Sequence, residues 1–275
     1  MSTQRILLTS GTGTIGRRVV NQLRARGSEV AVASRTGPVR FDWTDPDTWD
    51  AALTGCRTVF LLAPDGVEVD PRFVGRAVEQ GARRLVLLSS KAIDVMGDQR
   101  LLDAEATVKA AGVGWTVVRA DWLDQNFDEG FLRDAVAGGE VVLPLGDVRQ
   151  TLNDADDVAA VAVAALTEEG HEGRTYELSG PEALSFGEAV GIVAEAVGRP
   201  VRYQGDAEAY VDVMTGLGRD RAEVLAEVAA FDALRRSGDA VADDTVERVT
   251  GRRPKDFRTY AAEAAAAGAW DSERE

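Results

Sequence analysis

The stretch Gly11-Thr12-Gly13-Thr14-Ile15-Gly16 decides the fold of this chain. It follows an apolar run at residues 6–9 and opens a segment in which Ile15, Val19 and Leu23 recur at helical spacing. A strand, a glycine-rich turn and a helix in this order match the fingerprint of a dinucleotide-binding site. The first glycine makes the tight turn, the second lets the backbone approach a pyrophosphate, and the third lets helix and strand pack closely. The alternative is an ordinary glycine-rich turn between a strand and a helix.

The composition narrows the class of protein. The chain has 275 residues, is 45% hydrophobic and carries a formal net charge of -15. This length and apolar content suffice for one large α/β domain or a core with a smaller lobe. The negative charge argues against binding to nucleic acid, because phosphate backbones demand clustered Lys and Arg. It is typical of a soluble protein that resists self-association.

Cysteine and histidine are too scarce for the common metal and triad sites. Cys56 is the one cysteine, which excludes an internal disulfide, and His171 is the one histidine. We therefore predict no metal site and no His-based triad. Only Lys91, Lys109 and Lys255 are lysines, so a lysine at the edge of a cleft stands out.

The sequence does not indicate a membrane protein. Residues 1–5 lead directly into a strand pattern, and no secretory signal is visible. The longest apolar run, residues 158–166, is shorter than the ~20 residues that a membrane span needs. We expect a cytoplasmic protein without membrane partners, with a disordered end at residues 271–275.

Strand and helix patterns alternate through the first 120 residues. Apolar runs predict strands at 6–9, 29–34, 58–62, 84–89 and 115–119, and helices are predicted at 15–26, 48–53, 71–80 and 101–111. Continuous apolar strands are typical of a sheet that is buried on both faces. The alternation predicts an α/β fold with a parallel, doubly wound sheet, in which every strand-to-helix turn lies at one edge. Ligands bind beyond that edge, so the residues after each strand become candidates together.

Beyond residue 120 the pattern changes. It predicts a helix at 130–137, a strand at 141–143, a helix from the aspartates at 154–157 to residue 166, and a sixth sheet strand at 175–178. Ser185 and Glu188 form a capping box for a helix to residue 197, and a strand follows at 201–203. From residue 206 the chain is mostly helical, with a last helix near 257–267. We predict one domain over residues 1–275, with a core at 1–120 plus 154–180 and a smaller, mostly helical lobe at 121–153 plus 181–275.

The end of the second strand bears on the choice of dinucleotide. NAD-preferring sites place a carboxylate ~20 residues after the glycines, where it binds the ribose diol. Here the strand ends in Ser34-Arg35, and a guanidinium pairs with a 2′-phosphate that a carboxylate would repel. These residues favour NADP(H), although a solvated turn remains the alternative for Arg35. Asp42 can reach the amino group of the adenine, with the side chain of Trp43 against the adenine ring. The alternative is that Asp42 is a turn residue and that Trp43 is a tryptophan of the core.

Several segments together resemble the NmrA-like family, an atypical branch of the short-chain dehydrogenase/reductase superfamily. They are the glycine stretch, Ser34-Arg35 and residues 41–43, 58–62, 87–90, 112–119, 157–159 and 173–181. The resemblance covers about the first 200 residues well and the helical tail loosely. It implies a Rossmann core, an NADP(H) site and a C-terminal lobe that closes over substrate.

The resemblance also implies roles at the edge of the sheet. Leu62-Ala63-Pro64 would hold the nicotinamide, and Ser89-Ser90-Lys91 lie where the family has a serine after a strand. The Tyr-x-x-x-Lys pair of typical short-chain reductases is absent, because none of the tyrosines has a lysine four residues later. We then expect Ser89 to orient a carbonyl. Lys91 would supply a proton or hold the nicotinamide ribose, unless it is a solvated loop lysine.

Substrate contacts are expected from the segment that follows the fifth strand. Asn126 aligns with the family's asparagine, and its amide would contact the substrate or hold a loop. The apolar side chains of Trp122, Phe127 and Phe131 would line a substrate pocket or simply pack the lobe. Glu105 aligns with the family's glutamate in the preceding helix, and we expect a structural role for it.

These observations predict an NADPH-dependent oxidoreductase that reduces a small conjugated or aromatic carbonyl compound of the quinone or enone type, in specialised metabolism. Lys91, Ser89 and Asn126 are its candidate catalytic residues. Two alternatives stay open: an NADP(H)-sensing regulatory protein without turnover, which the missing tyrosine favours, and a pathway isomerase or cyclase on the same fold. The expected partner is a small-molecule substrate, and a homodimer is left open.

Overall fold

The computed structural model describes residues 5–271, and its largest sheet has seven parallel strands. The strands of the chain are β1 (Arg5–Leu8), β2 (Glu29–Ser34), β3 (Val39–Arg40), β4 (Cys56–Leu61), β5 (Arg84–Ser90), β6 (Gly114–Ala120), β7 (Trp122–Leu123), β8 (Glu140–Val142), β9 (Arg149–Asn153), β10 (Arg174–Glu177), β11 (Ala183–Ser185) and β12 (Arg202–Gln204). The large sheet has the order β10-β6-β5-β4-β1-β2-β3.

Helices cover both faces of this sheet, although not all of the helices take part. The helices between residues 5 and 271 are α1 (Thr14–Ala25), α2 (Trp49–Leu53), α3 (Pro71–Glu79), α4 (Ile93–Met96), α5 (Gln99–Lys109), α6 (Arg133–Gly138), α7 (Ala155–Thr167), α8 (Phe186–Val197), α9 (Ala207–Gly216), α10 (Arg221–Arg236), α11 (Thr245–Thr250) and α12 (Phe257–Ala266). On one face α1, α7 and α11 pack over Leu8 and Phe60, and on the other α2, α3 and α5 pack over Leu7 and Leu61. Neighbouring strand residues thus point to opposite faces, and both faces are apolar because both are covered.

The strand order reverses at β1, whose neighbours in the sheet are β2 and β4. The connections that leave β1 and its neighbours diverge there, so a crevice opens beyond the carboxyl ends of the strands. The ends of β1, β2, β4, β5 and β6 all face this edge because the strands are parallel. The fold therefore brings together side chains that follow five different strands.

A second body of structure, which we call the outer lobe, lies beyond this edge. It consists of the small sheet β11-β9-β7, the pair β12-β8, and the helices α6, α8, α9, α10 and α12. Its core is separate from the two faces of the large sheet and contains Phe127, Val193, Phe257 and Trp270. Between residues 5 and 271, none of the helices combines the length and the apolar character that a membrane crossing requires.

Most of the predicted elements are confirmed, with ends that differ by a few residues. The doubly wound sheet is present, and the predicted capping box forms in full between Ser185 and Glu188 at the start of α8. Asp154 caps α7 by accepting a hydrogen bond from the Asp156 amide, at the position where the predicted helix begins. The strand predicted as sixth is the seventh of the sheet, because the two-residue β3 adds an edge strand too short for any periodic pattern.

The predictions fail mainly in the outer lobe. The strands β7, β9 and β11 are missed, and β9 shows why, since it buries the polar side chains of Gln150 and Thr151. The helix predicted at 130–137 starts only at Arg133, because the amides of Glu129 and Gly130 first close a turn on the Gln125 carbonyl. The predicted disordered end at 271–275 lies, apart from its first residue, outside the described residues.

Candidate functional site

The three glycines of the turn after β1 have three different surroundings. A Cβ on Gly11 would lie 2.6 Å from Val32 Cγ1, and one on Gly16 would lie 1.8 Å from the carbonyl oxygen of Ser10. A Cβ on Gly13 would meet nothing within 4 Å. Gly11 and Gly16 therefore allow close packing of the turn, whereas the backbone at Gly13 is open to a ligand.

The start of α1 is suited to an anion. Gly13 is its N-cap, no side chain caps the helix, and its first turn contains no acidic residue. The free amides and the helix dipole favour a negative group at this point. These features fit the pyrophosphate of a dinucleotide.

One carboxylate of the protein already approaches this position. Glu129, from the turn before α6, accepts hydrogen bonds from Thr14 Oγ1 at 3.0 Å and Arg18 Nη2 at 2.9 Å, and it pairs with Arg17. Burial acts to raise the pKa of the Glu129 carboxyl, but Arg18 and Arg17 outweigh it, and the pKa is lowered. The contact ties the turn after β7 to the dinucleotide helix.

Ser34 and Arg35 stand at the end of β2, which pairs with β1. Arg35 is exposed, and a Cβ on Gly37 would lie 2.5 Å from Ser34 Oγ, so the chain turns tightly around the serine. A guanidinium and a hydroxyl beside the glycine turn fit the 2′-phosphate of NADP(H) in charge and donor set.

The structure supports the alternative interpretation of Asp42 and Trp43. The Asp42 carboxylate accepts from the amide and hydroxyl of Thr44, and these two bonds lower its pKa. Trp43 is 8% exposed and packs edge-on against Phe41 and Phe73, with ring centroids 5.1 Å apart in each pair. Asp42 is a turn residue, and Trp43 belongs to the core.

A cavity of about 380 Å³ opens at the carboxyl ends of β4, β5 and β6. Ile15 of the glycine stretch, Leu62-Ala63 after β4 and Ser89-Ser90-Lys91 after β5 all line it. The outer lobe contributes Leu234 of α10. The cavity thus joins the dinucleotide turn to the outer lobe, and apolar side chains dominate its walls. Pro64, predicted with Leu62 and Ala63, is exposed and lies outside this lining.

Lys91 and Asp121 meet at the wall of this cavity. They follow Ser90 and Ala120, which are register partners at the ends of β5 and β6. Lys91 Nζ lies 3.6 Å from Asp121 Oδ2, with the two side chains 20% and 9% exposed. The fully buried Thr151 donates its hydroxyl to the same carboxylate oxygen. Burial raises the pKa of the Asp121 carboxyl, although Thr151 and Lys91 act in the opposite direction.

Ser89 lines the cavity, but its hydroxyl is engaged elsewhere. It donates to Glu105 Oε1 at 2.8 Å, and Glu105 also accepts from Arg119 at 2.7 Å and Lys109 at 2.8 Å. Burial acts to raise the pKa of Glu105, but these donors outweigh it and lower that pKa to about 2. Because a permanent carboxylate holds the serine proton, this geometry does not support Ser89 as the group that orients a substrate carbonyl. Glu105 has the structural surroundings that its helix position suggests.

Two of the four predicted substrate residues lie on the cavity. Trp122 and Asn126 line it, and Trp122 is stacked on Phe231 of α10 with ring centroids 6.2 Å apart. The turn that carries Asn126 is tight, since a Cβ on Gly130 would lie 2.9 Å from Asn126 Cα. An amide and an indole therefore line the same cavity as Ile15 of the glycine stretch.

The other two predicted substrate residues, Phe127 and Phe131, do not line the cavity. Phe127 is 0% exposed in the core of the outer lobe, where its carbonyl oxygen accepts a hydrogen bond from Trp270 Nε1 at 2.6 Å. Phe131 is 61% exposed and approaches Trp122 from outside the cavity. The apolar run that suggested both residues mixes core and surface positions, because the chain turns between them.

Sequence reasoning missed the partners of Lys91. Asp121 falls in the candidate range after the fifth strand but receives no role there, and Thr151 lies on a strand that was not predicted. The predicted ends of β5 and β6 could have indicated that Asp121 lies beside Lys91, because residues that follow neighbouring parallel strands lie side by side. Thr151, 30 positions further along the chain, has no such signal.

Comparison with known proteins adds a family and named relatives. Residues 11–169 match the family model described as NAD(P)H-binding. The (4-alkanoyl-5-oxo-2,5-dihydrofuran-3-yl)methyl phosphate reductase of Streptomyces griseus subsp. griseus is 35% identical over 281 residues, covering 95% of this chain and 98% of that protein. The NAD(P)H azoreductase of Xenophilus azovorans is 34% identical over 300 residues, covering 96% and 99%.

A solved structure shares the fold. The crystal structure of an NADPH-dependent quinone oxidoreductase from Escherichia coli matches with a TM-score of 0.73 at 20% identity, covering 95% of this chain and 98% of that chain. At this level of identity the match concerns architecture alone.

Proposed function

The chain belongs to the NAD(P)H-binding family and is an NAD(P)H-dependent oxidoreductase, and from that premise we propose that it uses NADPH to reduce a small conjugated or aromatic carbonyl compound of the quinone or enone type. The observation that carries the proposal is the cavity. It runs from Ile15, beside the dinucleotide turn, to Lys91, Asn126 and Trp122. A cofactor bound at the turn would place its reactive end where these side chains converge.

The chain's residues divide into two groups in this proposal. The glycine stretch receives the pyrophosphate, Ser34 and Arg35 receive the 2′-phosphate, and Leu62, Ala63 and Ser90 border the nicotinamide. Lys91 and Asn126 present donors to the polar end of the acceptor. The predicted core, residues 1–120 plus 154–180, is then the cofactor side, and α11 joins it because this helix packs on the large sheet. The remaining parts of residues 121–153 plus 181–275 are the lobe that closes over the substrate.

The cavity suits a planar acceptor. Its walls are mostly apolar and include Trp122, and they favour a flat, weakly polar molecule. When bound, the reduced nicotinamide supplies two electrons and one hydrogen. The protein contributes orientation and exclusion of water, which together account for much of the rate in reactions of this kind.

The names of the two relatives favour conjugated acceptors. One reduces an azo compound, and the other is named for a dihydrofuran whose ring double bond adjoins an oxo group. An azo group contains no carbonyl, so the dihydrofuran is the acceptor that matches the proposed class. We propose a conjugated carbonyl compound here, without choosing between quinone and enone.

The test is a panel of acceptors. Purified protein is mixed with NADPH and, separately, with quinones, cyclic enones and butenolides, and the loss of the reduced-nicotinamide absorbance is followed. We expect oxidation with at least one acceptor class, faster with NADPH than with NADH.

A matched pair of variants assigns that activity to the cavity. Trp122→Ala is expected to raise the KM for the acceptor, whereas Val241→Ala, at a side chain that is 80% exposed, leaves it unchanged. Tight NADPH binding without oxidation across the panel would contradict the proposal and indicate a protein that only senses the dinucleotide.

A further inference from the structure

Lys91 is the lysine that lines the cavity, and other residues hold the carboxylate of its partner, Asp121, in place. Of the chain's three lysines, Lys109 pairs with Glu105 at 2.8 Å and Lys255 pairs with Glu263 at 2.8 Å, both outside the cavity. Lys91 pairs instead with Asp121, and both line the cavity. The contact of 3.6 Å leaves the ammonium free to donate to a second group.

The backbone holds both residues in place. The Lys91 amide donates to the Ala120 carbonyl at 2.8 Å, and the Trp122 amide donates to Asp121 Oδ1 at 2.9 Å. The next residue, Ala92, has a φ of 58°, the one positive φ at a non-glycine position among the described residues. Such strained backbone is maintained only where the surrounding structure determines it, and it is common at functional sites.

Thr151 fixes the other side of the carboxylate. It lies on β9 of the outer lobe, is 0% exposed, and donates its hydroxyl to Asp121 Oδ2. The same oxygen faces Lys91 Nζ. A buried hydroxyl from one body of the protein thus orients a carboxylate that orients a lysine of the other body.

We propose that Asp121 and Thr151 are positioning residues that hold the Lys91 ammonium at the cavity wall, and that Lys91 is the proton donor to the reduced acceptor. The inference rests on the proposed function and adds the residue that takes the place of the absent tyrosine. It separates Lys91, which touches the acceptor, from Asp121 and Thr151, which act through it.

Lys91 transfers its proton to the acceptor after the acceptor has been reduced. An acceptor that has gained two electrons and one hydrogen carries a negative charge on its former carbonyl oxygen. The N–H bond of Lys91 Nζ breaks, an O–H bond forms on that oxygen, and the electron pair of the broken bond stays on nitrogen. Water then returns a proton to the neutral amine, since the Lys91 side chain is 20% exposed.

Other charged groups on the cavity do not compete for this place. Arg100 lines the cavity but pairs with Asp98 at 3.4 Å, and its Nη1 also donates to the Val67 carbonyl at 3.4 Å. Asp65 is the remaining charged side chain of the lining, and it is exposed. Asp121 is therefore the buried carboxylate that sets the charge balance at Lys91.

The first test does not depend on turnover. Reductive methylation with 13C-formaldehyde labels the three lysines and the terminal amine, and Lys91→Arg assigns the Lys91 signal. The signals are compared by NMR at one pH in the wild-type protein and in Asp121→Asn, Thr151→Val and Asp134→Asn. Asp121→Asn is expected to change the chemical shift of the Lys91 methyl groups, because it removes the charge that lies 3.6 Å from Lys91 Nζ.

Each outcome of this comparison decides the pairing. Lys109 and Lys255 should keep their chemical shifts, and Asp134→Asn, whose side chain is 94% exposed, should leave all signals in place. Thr151→Val should change the chemical shift of the Lys91 methyl groups, which follows their orientation. An unchanged Lys91 signal in Asp121→Asn would overturn the inference, whatever the enzyme reduces.

The second test uses kcat. With an enone acceptor, Asp121→Asn and Thr151→Val are expected to lower kcat roughly tenfold, a part of the 10²–10⁴ that general-acid catalysis contributes. Both should leave the KM for NADPH unchanged, and Thr151→Ser, which keeps the hydroxyl, should restore kcat. A rise in KM with unchanged kcat would contradict a positioning role. Absence of any turnover by the wild-type protein would instead refute the proposed function, while the NMR result still decides the pair.

Discussion

The two sides of the cavity are built in different ways. The dinucleotide side is a continuous stretch, Gly11 to Gly16, whose properties depend on backbone that lacks a Cβ. The opposite side is assembled from side chains on separate elements, with Lys91 after β5, Asp121 after β6 and Thr151 on β9. Local backbone chemistry is visible in a sequence, whereas the convergence of distant side chains becomes visible only in the fold. The same difference predicts how each side responds to mutation.

The largest effect is expected within the glycine turn. In Gly16→Ala the added carbon would lie 1.8 Å from the Ser10 carbonyl oxygen, and backbone does not yield easily. We expect a loss of about 3 kcal/mol or more in the free energy of unfolding, which lowers Tm by roughly 6 °C or more. Gly13→Ala, with open space around the added carbon, should fold with unchanged Tm but bind NADPH at least ~10-fold more weakly. Equal Tm losses in the two variants, measured by thermal unfolding, would remove the distinction.

On the opposite side, the largest effect is expected at Lys91. Lys91→Met should lower kcat with an enone about 100-fold, because it removes the proton donor. The loss should be smaller with a quinone, whose product anion needs little help from an acid. Tm should change little, since the Lys91 side chain is partly exposed. Steady-state kinetics with both acceptors checks this, and an equal loss for the two would indicate that Lys91 serves binding instead.

A smaller effect on NADPH binding is expected at the end of β2. At this point the dinucleotide side depends on a side chain and not on backbone that lacks a Cβ. Arg35→Ala should weaken NADPH binding by roughly 10- to 100-fold, since a hydrogen-bonded charge pair contributes about 1.5–3 kcal/mol. NADH binding should hardly change. Arg40→Ala, on the neighbouring edge strand with a side chain 74% exposed, is the matched control. Fluorescence titration with both cofactors measures the difference, and parallel losses for NADPH and NADH would refute the 2′-phosphate assignment.

The smallest effect concerns the pH dependence of stability and is expected at Asp124, between the large sheet and the outer lobe. Asp124 is 0% exposed, neither of its carboxylate oxygens has a hydrogen-bond partner among residues 5–271, and burial raises its pKa well above the usual value. The nearby Asp154 and Asp157 raise it further. The folded state therefore keeps this proton to higher pH than the unfolded state does, so the wild-type protein loses stability as pH rises between the two pKa values.

Asp124→Asn removes this dependence. Relative to the wild-type protein, the variant should gain stability as pH rises from the ordinary pKa of an aspartate towards the raised pKa of Asp124 in the folded state. Urea unfolding over a series of pH values measures the gain, with Asp134→Asn as the exposed control. Parallel stability curves for variant and wild-type protein would show that Asp124 titrates normally.

The sequence was sufficient to predict those features that depend on backbone geometry or on a periodic pattern. The doubly wound sheet, the capping box at Ser185, the family, the enzyme class and the nicotinamide dinucleotide cofactor are confirmed. Each depends on a local pattern: alternating apolar runs, a glycine spacing, or a residue pair three positions apart. The individual site residues remain predictions that the variants above test.

The sequence alone was insufficient where burial and sequence pattern disagree. For Phe127 it left a pocket wall and packing of the lobe open, and the chain turns this side chain into the core of the outer lobe. Ser89 was expected to orient a carbonyl, but the buried carboxylate of Glu105 on α5 accepts its proton. Thr151 is polar and wholly buried, which no apolar pattern reveals. In all three cases a contact distant in the chain decides the role.

The central claim, that this protein transfers hydrogen from NADPH to a conjugated acceptor at the cavity, is tested most directly by isotope. NADPH carrying deuterium at the 4-pro-R or the 4-pro-S position is turned over with an acceptor from the panel, and the mass of the NADP⁺ formed is measured. A cofactor held in one orientation against the cavity predicts complete loss of the label from one preparation and complete retention in the other. No NADP⁺ formation above the protein-free control, or equal loss of label from both preparations, would contradict the account.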